Sequence, residues 1–183
     1  SGAGAHGVSL YGGSLLSTGS GNITITGTKI AGIGAAFYIG STGNVVGGAS
    51  ATGNITMNVN QLSWNVVNVQ TTGVITVAPT TAAWTMGLGT GAGNLALTAA
   101  YLNILNGGSY VFGSITTGDL TINTVKDFSS KNVTFISGND INLAGTLTKA
   151  TGAVARNYIF QAYRNIYNSS SAGITATVGS INL

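Results

Sequence analysis

The sequence predicts an all-β protein, a parallel β-helix whose coils of about 20 residues stack into a solenoid. Three observations predict this fold class: short apolar strands with period two, similar segments at a recurring interval, and glycine or asparagine at the segment boundaries. No window of the 183 residues shows a sustained helical period. We therefore expect a single β-helix domain over residues 1–183, and we expect it to be an interior piece of a longer chain.

Alternation of apolar and polar residues defines the predicted strands. Successive side chains of a strand point to opposite faces, so residues two positions apart share a face. The pairs that follow this pattern are Ile23 and Ile25, Ile55 and Met57, Ile75 and Val77, Leu95 and Leu97, Leu120 and Ile122, Val133 and Phe135, and Ile141 and Leu143. The run from Leu95 to Leu105 also fits a short helix, but its glycine–asparagine start favours a strand.

Similar segments recur along the chain, and most of them open with glycine followed by asparagine or aspartate. They begin at Gly21, Gly53, Gly73, Gly93, Gly118 and Gly138. The starts at 53, 73 and 93 are twenty residues apart, as are those at 118 and 138, and the longer intervals predict inserted loops or bulges. Glycine and asparagine suit the backbone angles of corners. A β-sandwich also has short strands, but it does not require similar sequences in a fixed register.

Charge is scarce and unevenly placed. Charged residues make up 5% of the chain, whereas an ordinary soluble domain has about 25%. From Ile30 to Gly118 there is no acidic or basic residue, so this stretch is expected to depend on Thr, Asn, Ser and Gly for solubility, or to be covered by a partner or a neighbouring copy. The six basic residues are scattered, which argues against nucleic acid as a partner.

Few residues are suited to catalysis or to metal binding. Cysteine is absent, which excludes a disulfide framework and a thiolate zinc site. The chain has three aspartates and no glutamate. Asp119 and Asp140 occupy nearly equivalent points of two segments, and we expect each to bond backbone amides in a turn; the alternative is a catalytic or calcium-binding pair. Asp127 lies between Lys126 and Lys131, where local ion pairing is expected.

No other residue supplies a convincing catalytic group. His6 stands alone, without a partner for a metal site or a nucleophile. The glycine-rich run Gly87 to Gly93 lacks the Gly-Lys-Ser/Thr of a phosphate loop. The sequence therefore predicts no catalytic, cofactor-binding or metal-binding residue, no cofactor and no enzymatic activity.

Aromatic residues have two interpretations, as core side chains or as a binding surface. Trp64 and Trp84 are twenty residues apart, which predicts stacking in adjacent coils. One cluster combines aromatic and basic residues, and for it a solvated polar face competes with contact to a glycan or an anionic surface. Its members are Tyr158, Tyr163, Tyr167, Arg156 and Arg164.

The stretch NVTFISGNDINLAGTLTKATG, from Asn132 to Gly152, resembles the large exoproteins of the filamentous haemagglutinin type. Gram-negative bacteria secrete these proteins by two-partner secretion or as autotransporter-like adhesins. LGTGAGNLALTAAYLNIL and YGGSLLSTGSGNITITGTKIAGIGAAFYIG are similar to other recurring stretches of the family, so the likeness covers nearly the whole chain. The family's secretion-recognition motif is not found here, which fits an interior piece.

The resemblance implies a right-handed β-helix, secretion through an outer-membrane partner, and an extracellular location at the bacterial cell surface. It implies a non-enzymatic structural or adhesive stalk that assembles into fibres, with host-cell or neighbouring-cell surfaces, glycans or other copies of itself as partners. The alternative is a carbohydrate-binding or carbohydrate-active β-helix domain. Some members carry sugars on Asn-x-Ser/Thr sites, which leaves glycosylation open at Asn22, Asn54, Asn132 and Asn168.

Overall fold

A computed structural model describes residues 6–29, 34–65, 67–90, 92–123, 128, 131–149, 157–169, 174–176 and 181–182. The fold is all-β, with 49% strand, parallel sheets and almost no helix. The elements formed by the described residues are, in chain order, β1 (Val8–Leu10), β2 (Leu15–Leu16), β3 (Ile23–Gly27), β4 (Phe37–Ile39), β5 (Asn44–Gly47), β6 (Ile55–Val59), β7 (Leu62–Trp64), β8 (Val67–Gln70), β9 (Val74–Ala78), β10 (Met86–Gly89), β11 (Leu95–Leu97), α1 (Ala99–Asn103), β12 (Leu105–Asn106), β13 (Ser109–Ser114), β14 (Leu120–Asn123), β15 (Asn132–Ser137), β16 (Ile141–Leu143), β17 (Leu147–Lys149), β18 (Tyr158–Ala162), β19 (Ile166–Asn168), β20 (Ile174–Ala176) and β21 (Ile181–Asn182).

The strands form five parallel sheets within the described part of the chain. The largest has seven strands in the order β21-β18-β15-β13-β9-β6-β3. A five-stranded sheet has the order β11-β10-β14-β16-β19, a four-stranded sheet the order β12-β8-β5-β2, and a three-stranded sheet the order β1-β4-β7, while β17 pairs with β20. The chain visits the sheets in rotation, so a strand pairs mainly with strands of the preceding and the following round.

The core is built from columns of side chains that the parallel register stacks on each other. Two columns line the inner face of the seven-stranded sheet, and both are buried. The first consists of Ile23, Ile55, Ile75, Tyr110, Val133 and Tyr158, and the second of Ile25, Met57, Val77, Phe112, Phe135 and Phe160. The rings of the second column stack, with centroids 6.1 Å apart for Phe112 and Phe135 and 5.1 Å apart for Phe135 and Phe160. The period-two strand prediction is confirmed in these columns.

The predicted interval of twenty residues holds only in part. Ile55 pairs with Ile75, twenty positions further on, but Ile75 pairs with Tyr110 rather than with Leu95. Leu95 belongs to β11 in the five-stranded sheet and pairs with Met86. The helical alternative is partly right, because the strand β11 is followed by the short helix α1, which Thr98 caps by accepting the Tyr101 amide. The recurring glycine–asparagine starts therefore precede strands of two different sheets.

The expected stacking of the two tryptophans is wrong. Trp64 lies in β7, where its ring meets Phe37 edge-on at 5.8 Å and Tyr101 at 5.5 Å. Trp84 lies in the link between β9 and β10 and is partly exposed. No ring contact between the two tryptophans occurs among the described residues. Their separation of twenty residues does not correspond to one round of the chain at this point, because β9 is followed by a longer round.

Candidate functional site

Three successive links between the seven-stranded and the five-stranded sheets form one corner of the molecule. Residues 115–119 join β13 to β14, residues 138–140 join β15 to β16, and residues 163–165 join β18 to β19. We call this set, together with residues 83–85 before β10, the corner surface. Since the strands on either side are in parallel register, the links lie one above the other.

Two glycines allow the links to approach each other. A Cβ atom on Gly118 would collide with the Ala83 carbonyl oxygen, and one on Gly138 would collide with the Ile115 carbonyl oxygen. The Gly118 amide donates to the Trp84 carbonyl oxygen at 2.8 Å, and the Gly138 amide donates to the Thr117 carbonyl oxygen at 2.8 Å. The backbones are thus hydrogen-bonded directly, which any larger residue at these two positions would prevent.

Buried hydroxyls complete the hydrogen bonding of the corner. Ser137 Oγ donates to the Gly118 carbonyl oxygen at 2.7 Å and accepts the Asn139 amide at 3.0 Å. Thr117 Oγ1 accepts the Ser114 amide at 2.8 Å. Because these polar groups are satisfied by local partners, the corner surface is pre-organised before any ligand arrives.

The two aspartates occupy successive steps of a polar ladder along the corner. Asp119 Oδ1 accepts hydrogen bonds from the Asn139 side-chain amide and, at 3.3 Å, from the Asp140 backbone amide. Asp140 Oδ1 accepts the backbone and side-chain amides of Asn165 at 3.0 and 3.1 Å. The other oxygen, Asp140 Oδ2, lies 3.0 Å from Arg164. The expectation that both aspartates bond backbone amides is confirmed, but these amides belong to the following link, 21 and 25 residues further on, and not to the aspartate's own turn.

Two open depressions adjoin the ladder and share Ile115 and Gly138. The first has a volume of about 390 Å³ and is lined by Thr85, Thr116, Asp119 and Asn139 in addition to the shared residues. The second has a volume of about 200 Å³ and is bordered by Gln161 and Tyr163. The side chains of Ile115 and Tyr163 are both 84% exposed. The corner surface thus combines carboxylate, amide and hydroxyl groups with one exposed ring and one exposed aliphatic side chain.

The predicted aromatic and basic cluster is only partly brought together. Tyr158 is a buried core residue, whereas Tyr163 and Tyr167 are exposed. Arg164 is 57% exposed and pairs with Asp140, and Arg156 lies outside the described residues. Sequence reasoning missed Ile115 and Asn139. The sequence does contain one indication of this site, because Ile115 is an isolated apolar residue in the polar turn SITTGD.

Other residues that the sequence singled out lie elsewhere. His6 Nδ1 accepts the Ala35 amide at 2.8 Å, and its ring stacks on Tyr38 with centroids 4.1 Å apart. Lys126 and Asp127 lie outside the described residues, so the expected ion pairing with Lys131 stays a prediction. In the glycine-rich run, Gly87 and Gly89 belong to β10. Among the residues that can be described, no group of three or more His, Asp or Glu side chains is placed to hold a metal ion.

The four sequon asparagines are exposed, and three of them form hydrogen bonds between rounds. Asn22 Oδ1 accepts the Asn54 amide at 2.7 Å, and Asn54 Oδ1 accepts the Val74 amide at 2.9 Å. Asn132 Oδ1 accepts the Asn157 amide at 2.9 Å. Asn22 and Asn54 lie just before β3 and β6 of the seven-stranded sheet, Asn132 is the first residue of β15 in the same sheet, and Asn168 lies at the end of β19. Asn22, Asn54 and Asn132 therefore each bond the backbone of the following round.

Comparison with known proteins finds no family model, no curated protein and no solved structure that matches this chain. In the part of the chain that the structure describes, no helix has the length and apolarity needed to cross a membrane.

Proposed function

We propose that this chain is a segment of a right-handed parallel β-helix that serves as a non-enzymatic structural and adhesive protein. In this proposal it is an exoprotein of the filamentous haemagglutinin type, secreted through an outer-membrane partner and displayed at the bacterial cell surface. The observation that carries the proposal is the rotation of the chain through the sheets, since strands of successive rounds pair in parallel.

The pairing order supports a helical course of the chain. The third strand of each of the first three rounds, namely β3, β6 and β9, adds to the same seven-stranded sheet in sequence order. Parallel strands in one sheet are connected by right-handed crossovers in about 98% of cases, which supports the right-handed form. Strands in such a stack are about 4.8 Å apart, so each round lengthens the molecule by that amount.

The chemistry of the corner surface supports a binding role over a catalytic one. Both oxygens of Asp140 accept hydrogen bonds from protein donors, and Asp119 Oδ1 accepts two more. Carboxylates engaged in this way act as anchors for neighbouring links. An adhesive stalk needs a stable scaffold with exposed side chains, and this combination suits that role.

A pair of engineered cysteines tests the helical course. Thr56 and Thr76 are paired in register on the outer side of the seven-stranded sheet, and the native chain has no cysteine. Adjacent strands bring Cα atoms to about 4.8 Å, a separation that permits a disulfide. We expect Thr56→Cys with Thr76→Cys to form an intramolecular disulfide on oxidation. The matched pair Thr24→Cys with Thr134→Cys lies several strands apart and is expected to remain reduced.

An adhesion assay tests the function. Beads coated with the folded chain are expected to attach to host epithelial cells or to neighbouring bacterial cells, whereas beads coated with heat-denatured chain are not. In parallel, the chain is incubated with a panel of polysaccharides, and we expect no release of new reducing ends. Equal attachment of both bead types would contradict adhesion by the folded surface. Release of reducing ends would favour the carbohydrate-active alternative.

A further inference from the structure

We propose that the corner surface is a binding site for an uncharged saccharide, which lies across Ile115 between Asp119 and Tyr163. This inference rests on the proposed adhesive function and names the ligand class of that adhesion. The site spans the two adjoining depressions, of about 390 and 200 Å³. The larger depression alone falls in the range of about 300–1,000 Å³ that small-molecule sites occupy.

The side chains match the two kinds of surface that a sugar ring presents. A pyranose has an apolar face of C–H groups and a rim of hydroxyls. The Tyr163 ring, 84% exposed, offers a flat apolar surface with a polar edge. Asp119 Oδ2, the carboxylate oxygen that bonds neither Asn139 nor Asp140, accepts hydroxyl hydrogens, and Asn139 and Thr116 in the same depression supply an amide and a hydroxyl group.

Rigid placement of Asp119 and Asn139 favours binding. Asp119 and Asn139 are hydrogen-bonded to each other, so their side chains are oriented before the ligand arrives. The links beneath them are joined through Gly118, Gly138 and Ser137, as described above. A pre-organised site loses less conformational freedom on binding, which raises affinity for a small polar ligand.

Local charge argues against an anionic occupant. The charged groups of the corner surface are the carboxylates of Asp119 and Asp140 and the guanidinium of Arg164, and that guanidinium already pairs with Asp140. A phosphate, a sulfated glycan or a nucleic acid would approach two carboxylates and only one cation. Anion sites instead gather several Lys or Arg side chains.

The backbone geometry argues against a peptide that adds as an extra strand. Such a peptide needs a row of unpaired amide and carbonyl groups. At this corner the Ala83 amide bonds the Thr116 carbonyl oxygen at 2.8 Å, and the Tyr163 amide bonds the Ser137 carbonyl oxygen at 3.1 Å. Recognition at the corner surface must therefore proceed through side chains, which suits a saccharide.

A glycan array followed by calorimetry tests the inference. The array carries neutral hexose and N-acetylhexosamine oligosaccharides, sialylated oligosaccharides and sulfated glycosaminoglycan fragments. We expect retention of the chain on neutral oligosaccharides. The best neutral oligosaccharide is then titrated into the wild type and into Tyr163→Ala, for which we expect affinity to fall about tenfold or more because the apolar platform is lost.

Tyr11→Ala is the matched control, because Tyr11 is also exposed, at 68%, but lies outside the corner surface. The affinity of the Tyr11→Ala variant for the oligosaccharide is expected to equal that of the wild type. Equal affinity of the wild type and Tyr163→Ala would overturn the inference, as would retention on sulfated or sialylated glycans alone, or no retention on any saccharide. The cysteine pair at positions 56 and 76 and the bead assay separate this failure from failure of the fold and of adhesion. A disulfide and attachment of the beads coated with folded chain, without saccharide binding, reject only the corner site.

Discussion

Tyr110 shows how a single side chain serves both the apolar core and the hydrogen bonding of a turn. Its ring is 3% exposed and stacks beside Phe112, with centroids 6.0 Å apart. Its hydroxyl donates to the Leu105 carbonyl oxygen at 3.0 Å and accepts the buried Gly107 amide at 3.0 Å. Burial raises the pKa of Tyr110 above its ordinary value of 10.0, against a smaller lowering by the Gly107 amide.

The raised pKa links Tyr110 to stability at alkaline pH. Because the neutral phenol is favoured in the folded chain, the stability that it contributes is fully present below pH 10.0, the ordinary pKa, and is lost as pH rises through the higher folded value. We therefore expect the free energy of unfolding to decrease above about pH 10. Titration of tyrosinate absorbance alongside circular dichroism measures both events.

Tyr110→Phe is expected to lower the free energy of unfolding by about 1–3 kcal/mol at neutral pH, because the buried Gly107 amide loses its acceptor. The difference from the wild type is expected to shrink above pH 10, since the variant has no phenol to ionise at this position. Urea denaturation at pH 7 and at pH 10.5 measures it. A difference that stays constant over this range would contradict the assigned role.

At the scale of elements, the alternating strand pattern predicted the structure better than the corner residues did. Alternating residues such as Ile23 and Ile25 predicted strands correctly, because burial of one face requires period two. The recurring glycine and Asx pairs, in contrast, mark a corner and not a particular sheet. Gly53 and Asn54 precede β6 of the seven-stranded sheet, whereas Gly93 and Asn94 precede β11 of the five-stranded sheet.

Similar corner chemistry in two sheets explains why the twenty-residue interval failed between Gly73 and Gly93. From Gly118 to Gly138 the interval does correspond to one round, since Leu120 in β14 pairs with Ile141 in β16. The candidate site was foreseen less completely than the strands. Asp119, Asp140, Tyr163 and Arg164 stood out by residue type, and equivalent positions in two segments aligned the aspartates. Ile115 was missed because its role follows from the stacking of links that are distant in sequence, and such stacking depends on register.

Gly138→Ala tests the close stacking of the links. The added Cβ collides with the Ile115 carbonyl oxygen, so we expect the free energy of unfolding to fall by about 1–3 kcal/mol. Gly13→Ala is the control, because nothing lies within 4 Å of its Cβ position, and its stability is expected to be unchanged or raised by up to about 1 kcal/mol. Thermal unfolding of both variants gives the comparison, and equal destabilisation would refute close packing at the corner.

At the scale of the whole molecule, the outer face of the seven-stranded sheet is free of charge. Its central column follows the register and consists of Thr24, Thr56, Thr76, Val111, Thr134 and Ile159. All of them except the exposed Thr24 are partly exposed. Charged side chains on a sheet surface oppose association between copies, so their absence from this column makes the face suited to lateral contact.

We predict that copies of the chain associate side by side through this face, as the proposed fibre requires. Thr76→Lys with Thr134→Lys places two like charges in the central column, and desolvating them in a contact between copies is costly. The double variant is therefore expected to stay monomeric at concentrations where the wild type forms larger species in sedimentation velocity. Thr121→Lys is the control, because Thr121 lies on the outer side of the five-stranded sheet, in β14. A monomeric wild type at the highest attainable concentration would reject lateral association. Loss of association in Thr121→Lys as well would assign the contact to general surface charge rather than to this face.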